Sequence, residues 1–390
     1  MSLRAHWTLD PSVTCLNHGS FGACPIPVLD AQAALRAELE REPVQFFLHR
    51  LEPLLDAARG ALGVFVGADP DDLAFLPNAT AGVSTVVRSL ELSAGDELLT
   101  TDHAYNACKN QLDGVAARAG ARVVVAKVPF PIASPDDVAG PLLAAAGART
   151  KLLLLDHVTS PTALVFPVER IVAAFAERGI DTLVDGAHAP GMLALDLAKL
   201  GAAYYTGNCH KWLCAPKGAA FLHVRRDRQD RVRPLSISHG ANSPRTDRSR
   251  FRLEFDWSGT DDPTAFLCVP DAIRFLGGLF PGGWTELRAS IHQAAVDAQR
   301  VLAEALRIPL PAPASMLGSM TSLPMPRAER PAPGKLDALQ ASLFANGRIE
   351  VPVFPSPIGR VIRAAMPVYA TSADVAKLAA ALAEVAGSAH

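Results

Sequence analysis

From about residue 70 to residue 225, short continuous apolar runs alternate with segments carrying apolar residues at helical spacing. DLAFL (72–76) precedes NATAGVSTVVRSL, and DELLTT (96–101) precedes a helical segment from Ala104 to Ala119. ARVVVAKV (121–128) precedes SPDDVAGPLLAAA, and KLLLLDHV (151–158) precedes VERIVAAFAERG. DTLVDGAH (181–188), AYYTG (203–207) and GAAFLHV (218–224) follow. Uninterrupted apolar strands separated by helices predict a mostly parallel sheet covered on both faces, an α/β arrangement with right-handed crossovers.

The pattern changes near Asp262. Helical periodicity over 264–278 and 284–306 gives way to two Pro-rich stretches, 309–319 and 323–334. The tail then reads helix (335–345), strand (349–353), strand (359–366) and helix (372–386). That last helix opens on TSAD, a capping box in which Thr371 caps and Asp374 reaches back. Val375, Leu378, Leu382 and Val385 recur behind it at helical spacing. The expectation is a large α/β domain over 15–260 and a smaller α+β domain over 265–390, with residues 1–14 and a helix at 27–41 packing at the junction.

The 390 residues, 49% hydrophobic and 19% charged, are long enough for two cores and have ordinary globular composition. Thirty-seven basic against 39 acidic residues, with no basic stripe, leave nucleic acid and anionic membrane surfaces without an electrostatic footprint. The six cysteines are scattered without a CxxC pair, which argues against a disulfide framework and a structural zinc site. The first residues lack the apolar core of a secretory signal, and LLLL at 152–155 is bounded by Lys151 and Asp156, so a cytoplasmic protein is expected.

Open parallel sheets bind ligands beyond the C-terminal ends of their strands. After the first strand, Asn78-Ala79-Thr80 opens a helix whose free N–H groups and dipole suit an anion. The later strand ends carry His103 with Tyr105, then Asp156-His157 with Ser160 and Thr162, then Asp185 with His188, then Asn208 with His210-Lys211. Five such ends converging make a site. One reading has Asp156, His157, Asp185, His188 and His210 ligating a metal that activates water, though no HxH or HExxH spacing is present. The other places phosphate at 78–80, a carboxylate at Asp185 and an amine at Lys211, the three fixed points of pyridoxal phosphate. A non-catalytic scaffold on the same fold is the third, against which stands the joint retention of Lys211 and Asp185.

DGAHAPG followed by GNCHKW, preceded by NATAG and DHAYNA, resembles the class V aminotransferases, a group of fold-type I pyridoxal-phosphate enzymes. LNHGSFG, DHVTSPTALVFPV and the HKW lysine resemble most its isopenicillin N epimerase-like branch, over about residues 15 to 370. The resemblance implies a homodimer with a shared active site. It makes Lys211 the residue that tethers the cofactor and moves the proton, and Asp185 the partner of the pyridine nitrogen. His103 is then the imidazole stacked on the ring, with Tyr105 as alternative, and His188 and Ser160 face the phenolic oxygen, with Thr162 able to replace Ser160. Ala79, Thr80, Asn208 and His210 fall on the phosphate side, and Thr260 of FDWSGTDDP reaches the partner subunit's phosphate.

For the substrate, the resemblance nominates Arg363 as the carboxylate clamp, because Arg360 lies on the opposite strand face. Asn17 and His18 correspond to the entry segment, and Arg50 to a residue for a second carboxylate or for a surface ion pair. The implied chemistry is proton removal at Cα of an amino acid held as an external aldimine. It ends in epimerisation or, with a leaving group on Cβ, in elimination. The desulfurase route needs a cysteine ahead of the clamp strand. The segment ASLFANGRIEVPVFPSPIGRVIR has none, and Cys268 is the last in the chain.

Overall fold

The computed structural model describes residues 3–326, 332, 334–356 and 359–387. A strand of two residues, β1 (Thr14–Cys15), precedes the seven strands of the main sheet. These are β2 (Leu73–Leu76), β3 (Glu97–Thr101), β4 (Arg122–Ala126), β5 (Thr150–Asp156), β6 (Asp181–Gly186), β7 (Tyr204–Asn208) and β8 (Ala220–Val224). They lie in the order β2-β8-β7-β6-β5-β3-β4. Strands β3 to β7 pair in parallel, whereas β8 runs antiparallel to both its neighbours, β7 and β2. The apolar runs are strands because both sheet faces are covered: Leu152, Leu153, Leu154 and Leu155 are all buried. At the edge, Val123 to Val125 of β4 stay half-buried.

This order brings the C-terminal ends of β2, β3, β5, β6 and β7 to one edge. The helices that follow β2 and β3 start there. Asn78 caps the first, Ala79–Arg88, by accepting the Ala81 N–H at 2.8 Å. Gly82 lets that helix lie on β7, since a Cβ would strike the Thr206 side chain.

The second sheet is antiparallel and three-stranded: β9 (Met320–Met325), β11 (Val353–Ser356) and β12 (Gly359–Ala365), with β12 in the middle. Strand β9 lies in a stretch the sequence reads as Pro-rich and irregular. Pro324 is tolerated because β9 is an edge strand, where a missing N–H costs no ladder bond. The strand expected over 349–353 is two pieces divided at Val351-Pro352, and the first, β10 (Ile349–Glu350), pairs in parallel with β1. Helices Ala338–Gly347 and Ser372–Gly387 complete this layer, with Thr371 and Asp374 capping reciprocally (2.8 and 3.3 Å). Helix Val269–Gly277 packs into the core of the large sheet, and the second half of the long helix Gly283–Leu306 packs into the core of the small one. The N-terminal segment sits between them: Trp7 lies 5.1 Å from the Tyr369 ring and 6.2 Å from Phe275. Among the described residues no helix is long and apolar enough to cross a membrane.

Candidate active site

At the strand-end edge lies a cavity of about 190 Å³, lined by Asn78, Ala79, Thr80, Tyr105, Asp156, Ser160, Asp185, His188, Asn208, His210 and Lys211, and by Ser20 and Phe21 of the N-terminal segment. Lys211 stands in the turn between β7 and β8. The N-terminal segment meets this turn at Gly22, where φ is +73° and a Cβ would strike the His210 carbonyl, so only glycine permits the approach.

The Lys211 amine lies 3.3 Å from His188 Nε2, and Trp212 Nε1–H donates to His188 Nδ1 at 3.4 Å. The indole therefore leaves the imidazole proton on Nε2, where it can meet only a neutral amine. The electrostatics agree. Burial, then the Arg363 charge, depress the Lys211 pKa to about 8, against the opposing pull of Asp185. Burial and the Lys211 charge also hold His188 well below the usual imidazole range.

Asp185 is the penultimate residue of β6 and is 4% exposed. Its Oδ1 accepts the Ala187 N–H at 3.0 Å, and its Oδ2 accepts the Cys108 thiol at 3.2 Å. Burial raises its pKa, while the Ala187 and Cys108 donors and the Lys211 amine lower it. At the start of helix Ala79–Arg88, the Ala79 N–H donates to Asn208 Oδ1 at 2.8 Å, which locks the helix start onto β7, and nearby His210 Nδ1 donates to the Ala219 carbonyl at 2.8 Å.

Arg363 of β12 is the arginine on the cavity side. It donates to the Ser160 carbonyl (2.6 Å) and hydroxyl (3.3 Å) and to the Ser20 hydroxyl (3.1 Å), and its Nε is buried with no partner. Arg360, on the other strand face, pairs instead with Asp337 at 2.6 Å.

Several residues picked from the sequence sit elsewhere. His103 is buried away from the cavity, with Nε2 donating to the Val128 carbonyl (3.0 Å) and Nδ1 accepting from Thr162 (2.7 Å); Tyr105 lines the cavity in its place. Thr162 is occupied by His103 and Thr159, so Ser160 alone of that pair reaches the cavity. His18 lies behind Lys211: Nε2 donates to the Lys211 carbonyl (3.0 Å) and Nδ1 accepts from Tyr369 (2.9 Å). Asn17 binds Glu350 (3.2 Å) and the Ser20 hydroxyl (2.5 Å) rather than the cavity. Arg50 pairs with Glu38 at 2.8 Å on the surface. Thr260 is exposed in a single chain and is not among the cavity's lining residues. Nor do the histidines gather around Asp156: His157 Nδ1 is bound to the Tyr205 hydroxyl at 2.9 Å. Among the described residues no group of three His, Cys, Asp or Glu is placed to hold a metal ion. Sequence reasoning missed Ser20, Phe21, Cys108 and Tyr369. The first two lie inside the LNHGSFG segment, whereas nothing local marks Cys108 or Tyr369.

A family model, aminotransferase class-V, matches residues 36–378. An isopenicillin N epimerase of Amycolatopsis lactamdurans is 38% identical over 98% of this chain and 97% of its own length. A putative L-cysteine desulfhydrase of Oryza sativa subsp. japonica is 34% identical over 81% of this chain and 68% of its own. Among solved structures, a C-DES mutant with glycine covalently linked to its PLP cofactor superposes with a TM-score of 0.82 at 23% identity, covering 98% of this chain and 100% of that one. That likeness shows the fold, and the family match over most of the chain shows the relationship: this chain belongs to the class V aminotransferases, the pyridoxal phosphate-dependent enzymes of fold type I.

Proposed function

We propose that the chain acts at Cα of an amino acid or amino-acid derivative, removing and returning the Cα proton in the manner suggested by its isopenicillin N epimerase relatives. One observation carries the reading: a depressed-pKa lysine, a buried carboxylate and a capped helix N-terminus meet in a single cavity. The residues fit pyridoxal phosphate. The Ala79–Arg88 helix offers its N-terminus and Thr80 to a phosphate, Asp185 offers a carboxylate to a ring nitrogen, and Lys211 offers a primary amine to an aldehyde. When bound, the cofactor supplies the electron sink that makes a Cα proton removable.

The chain's own groups do the rest. Asp185 would hold a proton on the ring nitrogen. His188, its proton fixed on Nε2 by Trp212, faces the lysine and would donate toward the phenolic oxygen. Lys211, neutral in an appreciable fraction near pH 7, takes the proton from Cα. Arg363 binds the α-carboxylate, a role supported by its buried, unpartnered Nε and by the two serine hydroxyls it holds at the cavity wall.

The working unit in this reading is a homodimer in which Thr260 serves the partner's phosphate site. A cavity beside that segment supports it, lined by Phe47, Phe75, Trp257 and Phe266 and by the charged Arg59 and Asp261. Thr260→Ala should weaken cofactor retention without changing mass in solution, and a monomer by light scattering would refute the shared site. β-Elimination is the second reading, favoured by the desulfhydrase relatives. A persulfide-carrying cysteine is not offered: five of the six thiols are buried, and Cys15 is half-buried against Tyr369. Incubation with L-amino acids and S-conjugates in deuterated water separates the readings. Deuterium at Cα with loss of chirality supports epimerisation, keto acid with ammonia supports the lyase, and neither from any substrate refutes both.

A further inference from the structure

Asp185 has two neighbours that the family pattern of lysine, aspartate and phosphate cradle leaves without a task. Cys108, the third residue of helix Asn106–Ala119, points its thiol at Asp185 Oδ2 from 3.2 Å. Asp156 ends β5 directly opposite Asp185 in the parallel register, is 4% exposed and lines the same cavity. Two buried carboxylates side by side do not both ionise readily, and something must decide which one carries the charge.

We propose that Cys108 is a positioning residue for the reaction: its thiol proton, donated to Oδ2, keeps Asp185 the single anion beneath the cofactor's ring nitrogen while Asp156 holds its proton. This inference rests on the reading that Asp185 faces that nitrogen. The donors are divided accordingly. Asp185 accepts a backbone N–H, from Ala187, on one oxygen and the Cys108 thiol on the other, whereas Asp156 accepts only backbone N–H groups, its own and that of Tyr105. Burial and the Asp185 charge push Asp156 well above the carboxylate range. Burial and both aspartates push the Cys108 thiol up as well, so it stays protonated and remains a donor. The other titratable groups around Asp185 are Lys211, which favours its ionised form, the Tyr205 phenol, held neutral by burial, and His188, neutral at working pH.

The test titrates the apoprotein with pyridoxamine 5′-phosphate, which cannot form a Schiff base with Lys211, and follows its dissociation constant from pH 4.5 to 8 (~ range bracketing a raised carboxylate pKa). Affinity should fall on the acid side as Asp185 protonates. A hydrogen bond to a carboxylate is worth about one pKa unit, so Cys108→Ala should move this acid limb up by about one pH unit, roughly tenfold in affinity below it. Cys108→Ser keeps a donor and should restore the limb, and Asp156→Asn, which replaces one neutral group by another, should leave it in place. Far-UV circular dichroism establishes that each variant is folded over the range. A merely packing thiol would give an equal loss at every pH, which overturns the proposal. So does a Cys108→Ser limb that stays with Cys108→Ala, or an Asp156→Asn limb displaced as far as that of Cys108→Ala. If the wild-type protein bound no pyridoxamine phosphate at all, the cofactor reading would fall, and this inference with it.

Discussion

The most exposed consequence of the site's electrostatics is the reactivity of Lys211 toward an aldehyde as pH changes. Burial and the Arg363 charge bring this amine from 10.5 to about 8. At pH 7 an amine of pKa about 10.5 is neutral in about 0.03% of molecules and one of about 8 in about 9%, a gain of about 300-fold in the nucleophilic form. The His188 Nε2–H, fixed by the Trp212 indole, faces the lone pair of that neutral form. Apoprotein should therefore capture pyridoxal phosphate at a rate that rises about tenfold from pH 6 to 7 and levels off above about pH 8–9, as the free-amine fraction saturates. The assay is absorbance of the adduct, with borohydride trapping and mass mapping to residue 211, against a blocked-lysine peptide whose rate climbs past pH 10. Arg363→Gln removes the second largest cause of the depression and should shift the plateau to higher pH. A protein rate that climbed alongside the peptide's to pH 10 would refute the argument, since Lys211 would then be an ordinary solvated lysine.

His18→Phe strips the donor from the part-buried Lys211 carbonyl and the acceptor from the buried Tyr369 hydroxyl, and should cost about 2–4 kcal/mol, read as a fall in Tm and slower cofactor capture. An unchanged Tm would show that His18 is not the brace. The two arginines of β12 should part company. Arg363→Lys keeps the charge but loses the planar fork, so KM for the substrate should rise about tenfold or more with cofactor uptake unchanged. Arg360→Met leaves Asp337 buried without its cation and should lower Tm by several degrees with KM unchanged. Equal effects of both on KM would undo the assignment of strand faces.

What the sequence made legible followed from repetition. The main-sheet strands are mostly apolar runs, and polar residues lie at or just after the ends of β2, β3, β5, β6 and β7, so the order of elements and the side chains gathered at Asp185, Asn208 and Lys211 could be read residue by residue. Strand β9 escaped because it is an edge: with only one neighbour it tolerates Pro324, and the resulting composition reads as linker. The two-residue strand β1 escaped for a different reason. Its partner is Ile349–Glu350, and a pairing of two residues across more than three hundred positions leaves no local periodicity. Arg363 could be separated from Arg360 because strand alternation is local. His18 could not be separated from a substrate-facing residue, because that distinction depends on Tyr369 and on the Lys211 carbonyl, which only the fold brings to it.

The histidines carry the same lesson into the chemistry. His18, His103 and His210 each spend one ring N–H on a backbone carbonyl: Lys211, Val128 and Ala219 respectively. His157 is tied to the Tyr205 hydroxyl and His188 to the Trp212 indole. Burial holds all five below the usual imidazole range, with His18, His157 and His210 down to about 4. A neutral imidazole with a fixed tautomer donates on one side and accepts on the other, so it ties segments together without adding charge. Three of them, His157, His188 and His210, suggest a metal centre when counted with Asp156 and Asp185 at strand ends in the sequence. In the fold all five are neutral ties, and the charge at the cavity and its wall is left to Lys211, Arg363 and the two aspartates. In the proposed reading this division suits an electron-sink cofactor: one amine of tuned basicity, one cation offered to a carboxylate and one anion offered to the ring, held in place by groups that do not compete with them for protons.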